Sequence, residues 1–141
     1  TRRLASLVET AAREGLVIAP LTSRDSVFGD PVAALRLCQA VPGLGLTFAP
    51  SHYLLGGRKD SEVDPLYPYA RNVHLRDTGK APEEFQVRIG QGKLDYARVV
   101  NQLQRYGYKR SLTVAIFDRP ENQFDREVEV RKLRLLLETL L

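Results

Sequence analysis

The chain has 141 residues, 43% hydrophobic and 27% charged, with 21 Lys and Arg against 17 Asp and Glu for a formal charge of +4. These are ordinary globular proportions, enough for one domain with a core, and they exclude disordered and collagen-like architectures. No apolar run approaches the roughly 20 residues that span a bilayer and no basic-then-apolar leader is visible, so a chain without a membrane partner is expected.

Residues 3–13 place Leu4, Leu7, Val8, Ala11 and Ala12 at helical spacing, with Gly15 as the stop. The short apolar run Leu16-Val17-Ile18-Ala19, closed by Pro20, reads as a strand buried on both faces. Asp30 then offers an N-cap and Pro31 a first helical position, with Ala34, Leu35, Cys38 and Val41 on one face before Pro42-Gly43. Cys38 is the single cysteine; its place on that face makes it a buried small hydrophobe, and the absence of any partner for a disulfide favours a cytoplasmic setting. Further strands are predicted at 44–48, 71–75 and 112–117, and further helices at 94–106 and 124–140. Strands separated by helices imply parallel pairing with right-handed crossovers, hence an α/β fold. No G-x-G-x-x-G follows a strand, so a dinucleotide site has little support. No repeat or linker divides the chain, which reads as one unit over 1–141; its start at Thr1 and its lack of methionine are read as signs of a piece of something longer.

Four stretches occur in order: LGLTFAPSHY at 44–53, NVHLRD at 72–77, RIGQGKLDY at 88–96 and RYGYKRSLTVAIFD at 105–118. As a set they resemble the sugar phosphate isomerase/epimerase superfamily, the xylose-isomerase-like (β/α)₈ TIM barrels that also include endonuclease-IV-type nucleases. The resemblance runs from the helix before the fifth barrel strand through the eighth strand and its helix. It implies a (βα)4 C-terminal half lacking the N-terminal strands, since a closed barrel takes roughly 250 residues. The rest of a barrel, or a homo-oligomer, is then needed to cover the open half.

The same resemblance implies a divalent metal, Mn²⁺, Mg²⁺ or Zn²⁺, held by two Glu, one Asp and one His at the strand ends. Residue by residue, His74 stands at the metal-binding histidine and His52 at the second histidine of a D-x-x-H pattern. Ala49 occupies the Asp position of that pattern, Ala115 that of the last Glu, and Leu21 falls near the first. Three of four ligands are therefore missing, and metal binding is expected to be weak or absent. Asp77 and Asp118 are the nearby carboxylates that could substitute.

The candidate catalytic residues are thus His52 and Asp77, with Arg76 and Lys93 as candidate substrate contacts and His74 as the metal residue. The loop tyrosines Tyr67 and Tyr69 are candidates for stacking on a sugar or small polyol, whereas Tyr96, Tyr106 and Tyr108 read as packing residues. Gly90 and Gly92 could admit a ligand or merely serve a turn. Cations and acids alternate along 126–132, the pattern of a solvated helix, and two histidines are too few for the metal clusters of a repair nuclease, so nucleic acid is not expected. The implied activity is isomerisation or epimerisation beside a carbonyl, impaired by loss of the carboxylates. Two alternatives stand beside it: an enzyme with altered chemistry on His52, His74 and Asp77, and a non-catalytic carbohydrate-binding or assembly module.

Overall fold

A computed structural model describes residues 1–141. Helix α1 (Arg2–Arg13) leads into an extended segment. Helix α2 (Pro31–Ala40) follows, its first turn capped by the Asp30 carboxylate, which accepts from Ala33 N at 3.1 Å, with Pro31 supplying a preset φ. Strand β1 (Leu46–Phe48), short helices α3 (Pro50–Leu55) and α4 (Asp60–Val63), strand β2 (Ala70–Leu75), helix α5 (Tyr96–Arg105), strand β3 (Leu112–Val114) and helix α6 (Arg126–Leu140) complete the chain. Asp95 and Asp125 cap α5 and α6 with their carboxylates.

The three strands are parallel, in the order β1-β2-β3. One face is covered by helices: Leu46, Phe48, Val73 and Leu75 are fully buried in a cluster with Ala34, Cys38, Val99, Val100, Leu103, Leu133 and Leu137. Cys38 is buried there as expected. Residues on the other face, Thr47, Asn72, His74 and Thr113, are half-buried, which is the inward side of a barrel left open. Each fully buried large side chain contributes about 1.5–3 kcal/mol, so the helix-covered face holds the sheet together.

The segment at 16–19 departs from the expected buried strand. It lies along β1, with Gly45 N donating to Ile18 O at 2.9 Å and Thr47 N donating to Pro20 O at 2.9 Å, yet Leu16 is 64% exposed and Val17 47%. Pro20 has no N–H to donate, and no strand lies on its outer side. At the opposite edge β3 is half-exposed along its whole length. The strand predicted at 112–117 is shorter because its far end is held by a side chain: Gln86 Oε1 accepts from Phe117 N at 2.7 Å and Gln86 Nε2 donates to Phe117 O at 2.9 Å. One amide thus takes over the pairing that a neighbouring strand would supply. No helix is long and apolar enough to cross a membrane.

Candidate functional site

Alternation along β2 sends Val73 and Leu75 into the helices and Asn72 and His74 to the open face, with Arg76 next at the C-terminal end. Parallel register places Thr113 beside His74 and Phe48 beside Val73. One step further along each strand, Ala49 borders His74 and Ala115 borders Arg76, and Ala115 N donates to Leu75 O at 2.8 Å. The two alanines therefore line the row that carries the candidate residues.

His74 is fixed by Asn72. The Asn72 Oδ1 accepts from Val73 N at 3.0 Å and from Thr113 Oγ1 at 3.2 Å, which turns the amide nitrogen toward His74 Nε2 at 3.1 Å. In that geometry Nε2 accepts and the ring proton sits on Nδ1, so the single lone pair of the neutral imidazole is already used. Burial and then the nearby Arg76 charge hold His74 below the usual histidine range.

Arg76 is 2% exposed. Its Nε donates to Phe85 O at 3.0 Å, its Nη2 lies 3.4 Å from His52 Nε2, and its guanidinium stacks 3.8 Å from the centre of the Phe85 ring. Arg119 stacks on the same ring at 4.7 Å. None of the nine ion pairs of the chain includes Arg76. Burial, followed by repulsion from Arg119, lowers its pKa to about 10.

His52 reaches this cluster from α3. Its other nitrogen, Nδ1, faces the backbone N–H of Arg24 at 3.3 Å, so both ring nitrogens face donors. A neutral ring can satisfy one of them and a protonated ring neither, and burial, Arg76, Arg24 and His74 all lower the pKa against an opposing Asp25, bringing it from 6.5 to about 4. The unfolded chain therefore binds an extra proton between those values. Stability from neutral His52 is complete above about pH 6.5 and is lost as pH falls through the folded pKa. We expect unfolding free energy to drop by roughly 2–3 kcal/mol over that window, and His52→Gln to flatten the drop in denaturant titrations. An unchanged slope in the variant would remove this assignment.

Asp77, although adjacent to Arg76, points elsewhere. Its Oδ2 accepts from Gly90 N at 2.7 Å and Gly92 N at 3.2 Å, and its Oδ1 accepts from Thr78 N at 3.0 Å. Gly90 has φ +90°, and a Cβ on Gly92 would run into the Asp77 carboxylate and the Thr78 carbonyl, so the glycines serve the close approach of this loop to the acid. Glu129 holds the same loop from α6, accepting from Ile89 N at 2.7 Å and from Lys132 at 2.7 Å. Burial pushes the Glu129 pKa up, but these two donors hold it below the usual carboxylate range. Asp77 is thereby a loop anchor, with its lone pairs committed to backbone.

Lys93 is exposed and lines a separate cleft of about 230 Å³ with Arg58, Lys80 and Arg98, which neither Arg76 nor His52 enters. Tyr67 is not a free loop ring: it is 3% exposed and packs 4.7 Å from Phe48. Tyr69 is half-buried against the core, and Tyr106, expected to pack, is 45% exposed. Asp118 is exposed and faces Arg126 at 3.9 Å. The structure thus brings together His52, His74 and Arg76 of the predicted residues and leaves Asp77 and Lys93 apart. Phe85, Gln86, Asn72 and Arg119 complete the cluster; of these only Asn72, two residues before His74, was open to discovery, from strand alternation.

Residues 1–138 match the sequence model described as xylose isomerase-like TIM barrel. The chain belongs to that family. Among solved structures it is similar to a xylose isomerase domain protein from Planctomyces limnophilus, at 23% identity and TM-score 0.71 over 99% of this chain and 50% of the other. A D-tagatose 3-epimerase-like protein gives 23% identity and TM-score 0.73 over 97% and 51%. A xylose isomerase domain protein from Alicyclobacillus acidocaldarius subsp. acidocaldarius gives 17% identity and TM-score 0.74 over 98% and 55%. These likenesses show the fold, and the xylose isomerase-like chain spans about half the length of each structure it matches. No curated protein matches it in sequence.

The residues at the strand ends do not fit the divalent metal that this family implies. No three His, Cys, Asp or Glu side chains converge anywhere in the structure. The lone pair of His74 is taken by Asn72, His52 faces two N–H donors, and the buried Arg76 guanidinium would repel a dication.

Proposed function

We propose that this xylose isomerase-like half-barrel descends from sugar isomerases and epimerases, has lost their metal-dependent chemistry, and binds a sugar-like ligand at its strand ends. The observation that carries the reading is Arg76: where the family's dication chemistry would lie, the sheet ends on a buried cation without a carboxylate beside it. His52 and Arg76 are the polar groups proposed to face the ligand, and Phe85, with its ring against both, supplies an apolar surface for sugar C–H groups.

Calorimetric titration with Mn²⁺ and with Zn²⁺ tests the loss of metal chemistry. No tight one-to-one binding is expected. Tight stoichiometric binding that disappears in His74→Ala would overturn the reading and restore the family's metal role. The two open edges, with Leu16 and Val17 exposed on one and Phe117 on the other, are proposed to be covered by the rest of a longer chain or by a second copy. Sedimentation velocity on the 141-residue chain should show self-association, and a stable monomer across concentration would argue against a second copy.

A further inference from the structure

Placing a guanidinium in the interior without a counter-charge is costly, and the chain has the means to avoid it. Arg98 shows this, paired with Asp64 at 2.8 Å and Asp60 at 3.2 Å. Arg76 is far more buried and has no acid within 4.0 Å, and the charged group sharing its stacking ring is a second cation, Arg119, which is itself paired with Glu121 at 3.4 Å. Stacking on Phe85 offsets part of the cost. It does not neutralise the charge. Two of the three Arg76 nitrogens have partners, the Phe85 carbonyl and the long contact to His52, and the third has none within the protein.

We propose that this cluster is an oxyanion site: Arg76, with Arg119 beside it and His52 at its edge, receives the phosphate or carboxylate of a polyhydroxylated ligand, the counter-charge the protein does not supply to Arg76. The proposal rests on the ligand-binding reading above and names the class of ligand. A planar guanidinium presents paired donors that match two oxygens of either group, and low local dielectric strengthens the attraction. Phe85 controls access, since its ring lies against both guanidinium groups and the His52 ring. Burial first, and then a neighbouring positive charge, lower the Arg76 and His52 pKa values, and an arriving anion would raise both.

The chain has two histidines, so their imidazole C–H signals in ¹H–¹³C NMR report on the site with little overlap. Inorganic phosphate, D-glucose 6-phosphate, D-gluconate and neutral D-glucose are titrated separately. Saturable binding of phosphate and at least one of the anionic sugars is expected, with the His52 pKa moving upward. Arg76→Gln should weaken it roughly tenfold or more and Arg119→Gln a few-fold, whereas Lys80→Gln, in the separate cleft, should leave it unchanged. Arg119 is a surface side chain, so its variant keeps the test decisive even if Arg76→Gln does not fold. A response to both phosphate and D-glucose 6-phosphate with none to gluconate assigns a phosphate ligand, and the reverse preference assigns a sugar acid. Anion binding that survives both arginine substitutions, or its absence, overturns the proposal. Neutral glucose separates the two levels: if it moves His52 while the anions do not, the oxyanion site falls and the ligand-binding reading stands; if nothing moves either histidine, both fall.

Discussion

Asp77→Ala is expected to destabilise the chain by roughly 3–5 kcal/mol, because a buried carboxylate accepting three backbone N–H bonds is removed and the donors remain. Charge-assisted bonds of this kind are worth about 1.5–3 kcal/mol each and do not add fully, since the loop can relax toward solvent. Asp77→Asn should cost less, as one acceptor oxygen survives while the new amide hydrogens oppose Gly90 or Gly92. Gly92→Ala attacks the same contact from the other side, since its Cβ needs the space of the Asp77 carboxylate. Urea unfolding should show the midpoint falling at constant m for the asparagine variant. A shift worth under about 1 kcal/mol in Asp77→Ala would free the carboxylate for the catalytic role that its position after His74 first implied.

The contrast between Asp77 and Asp30 shows where the sequence was readable. Asp30 acts on Ala33, three residues away, and the Asp-Pro pair announces both cap and helix start. Asp77 acts on Gly90 and Gly92, with separations of thirteen and fifteen residues, so the chain offered an acid in one loop and glycines in another without joining them. The exposed segment at 16–19 has a related cause: its composition is that of an interior strand, but burial depends on what lies beyond the edge. His52 and His74 were legible through the ordered motifs around them. The places of Ala49 and Ala115, beside His74 and Arg76 at the strand ends, were legible too. What surrounds Arg76 was not, because Phe85, Gln86 and Arg119 reach Arg76 and Phe117 from loops whose local sequence carries no periodic or capping signal.

Placing a glutamate at position 115 is expected to change the charge balance at Arg76 before it does anything for a metal. Ala115 follows the Leu75–Val114 pair in register and so stands beside Arg76, the residue with an unmatched charge. The desolvation cost of Arg76 is already present in the fold, so Ala115→Glu adds only that of its own carboxylate while gaining a charge-assisted bond in a low dielectric. A net stabilisation of about 1–2 kcal/mol is expected, together with loss of phosphate binding, because the new side chain takes the place of the anion. Metal affinity should stay low in Ala115→Glu, and also when Ala49→Asp is added, since the guanidinium both pairs with the carboxylate and repels the dication. It should rise only when Arg76→Gln is combined with both changes and Asn72→Ala frees the His74 lone pair. Thermal unfolding and Mn²⁺ calorimetry on the series separate these steps. Tight Mn²⁺ binding in the Ala49→Asp, Ala115→Glu chain with Arg76 intact would mean that the guanidinium does not govern metal binding at this site.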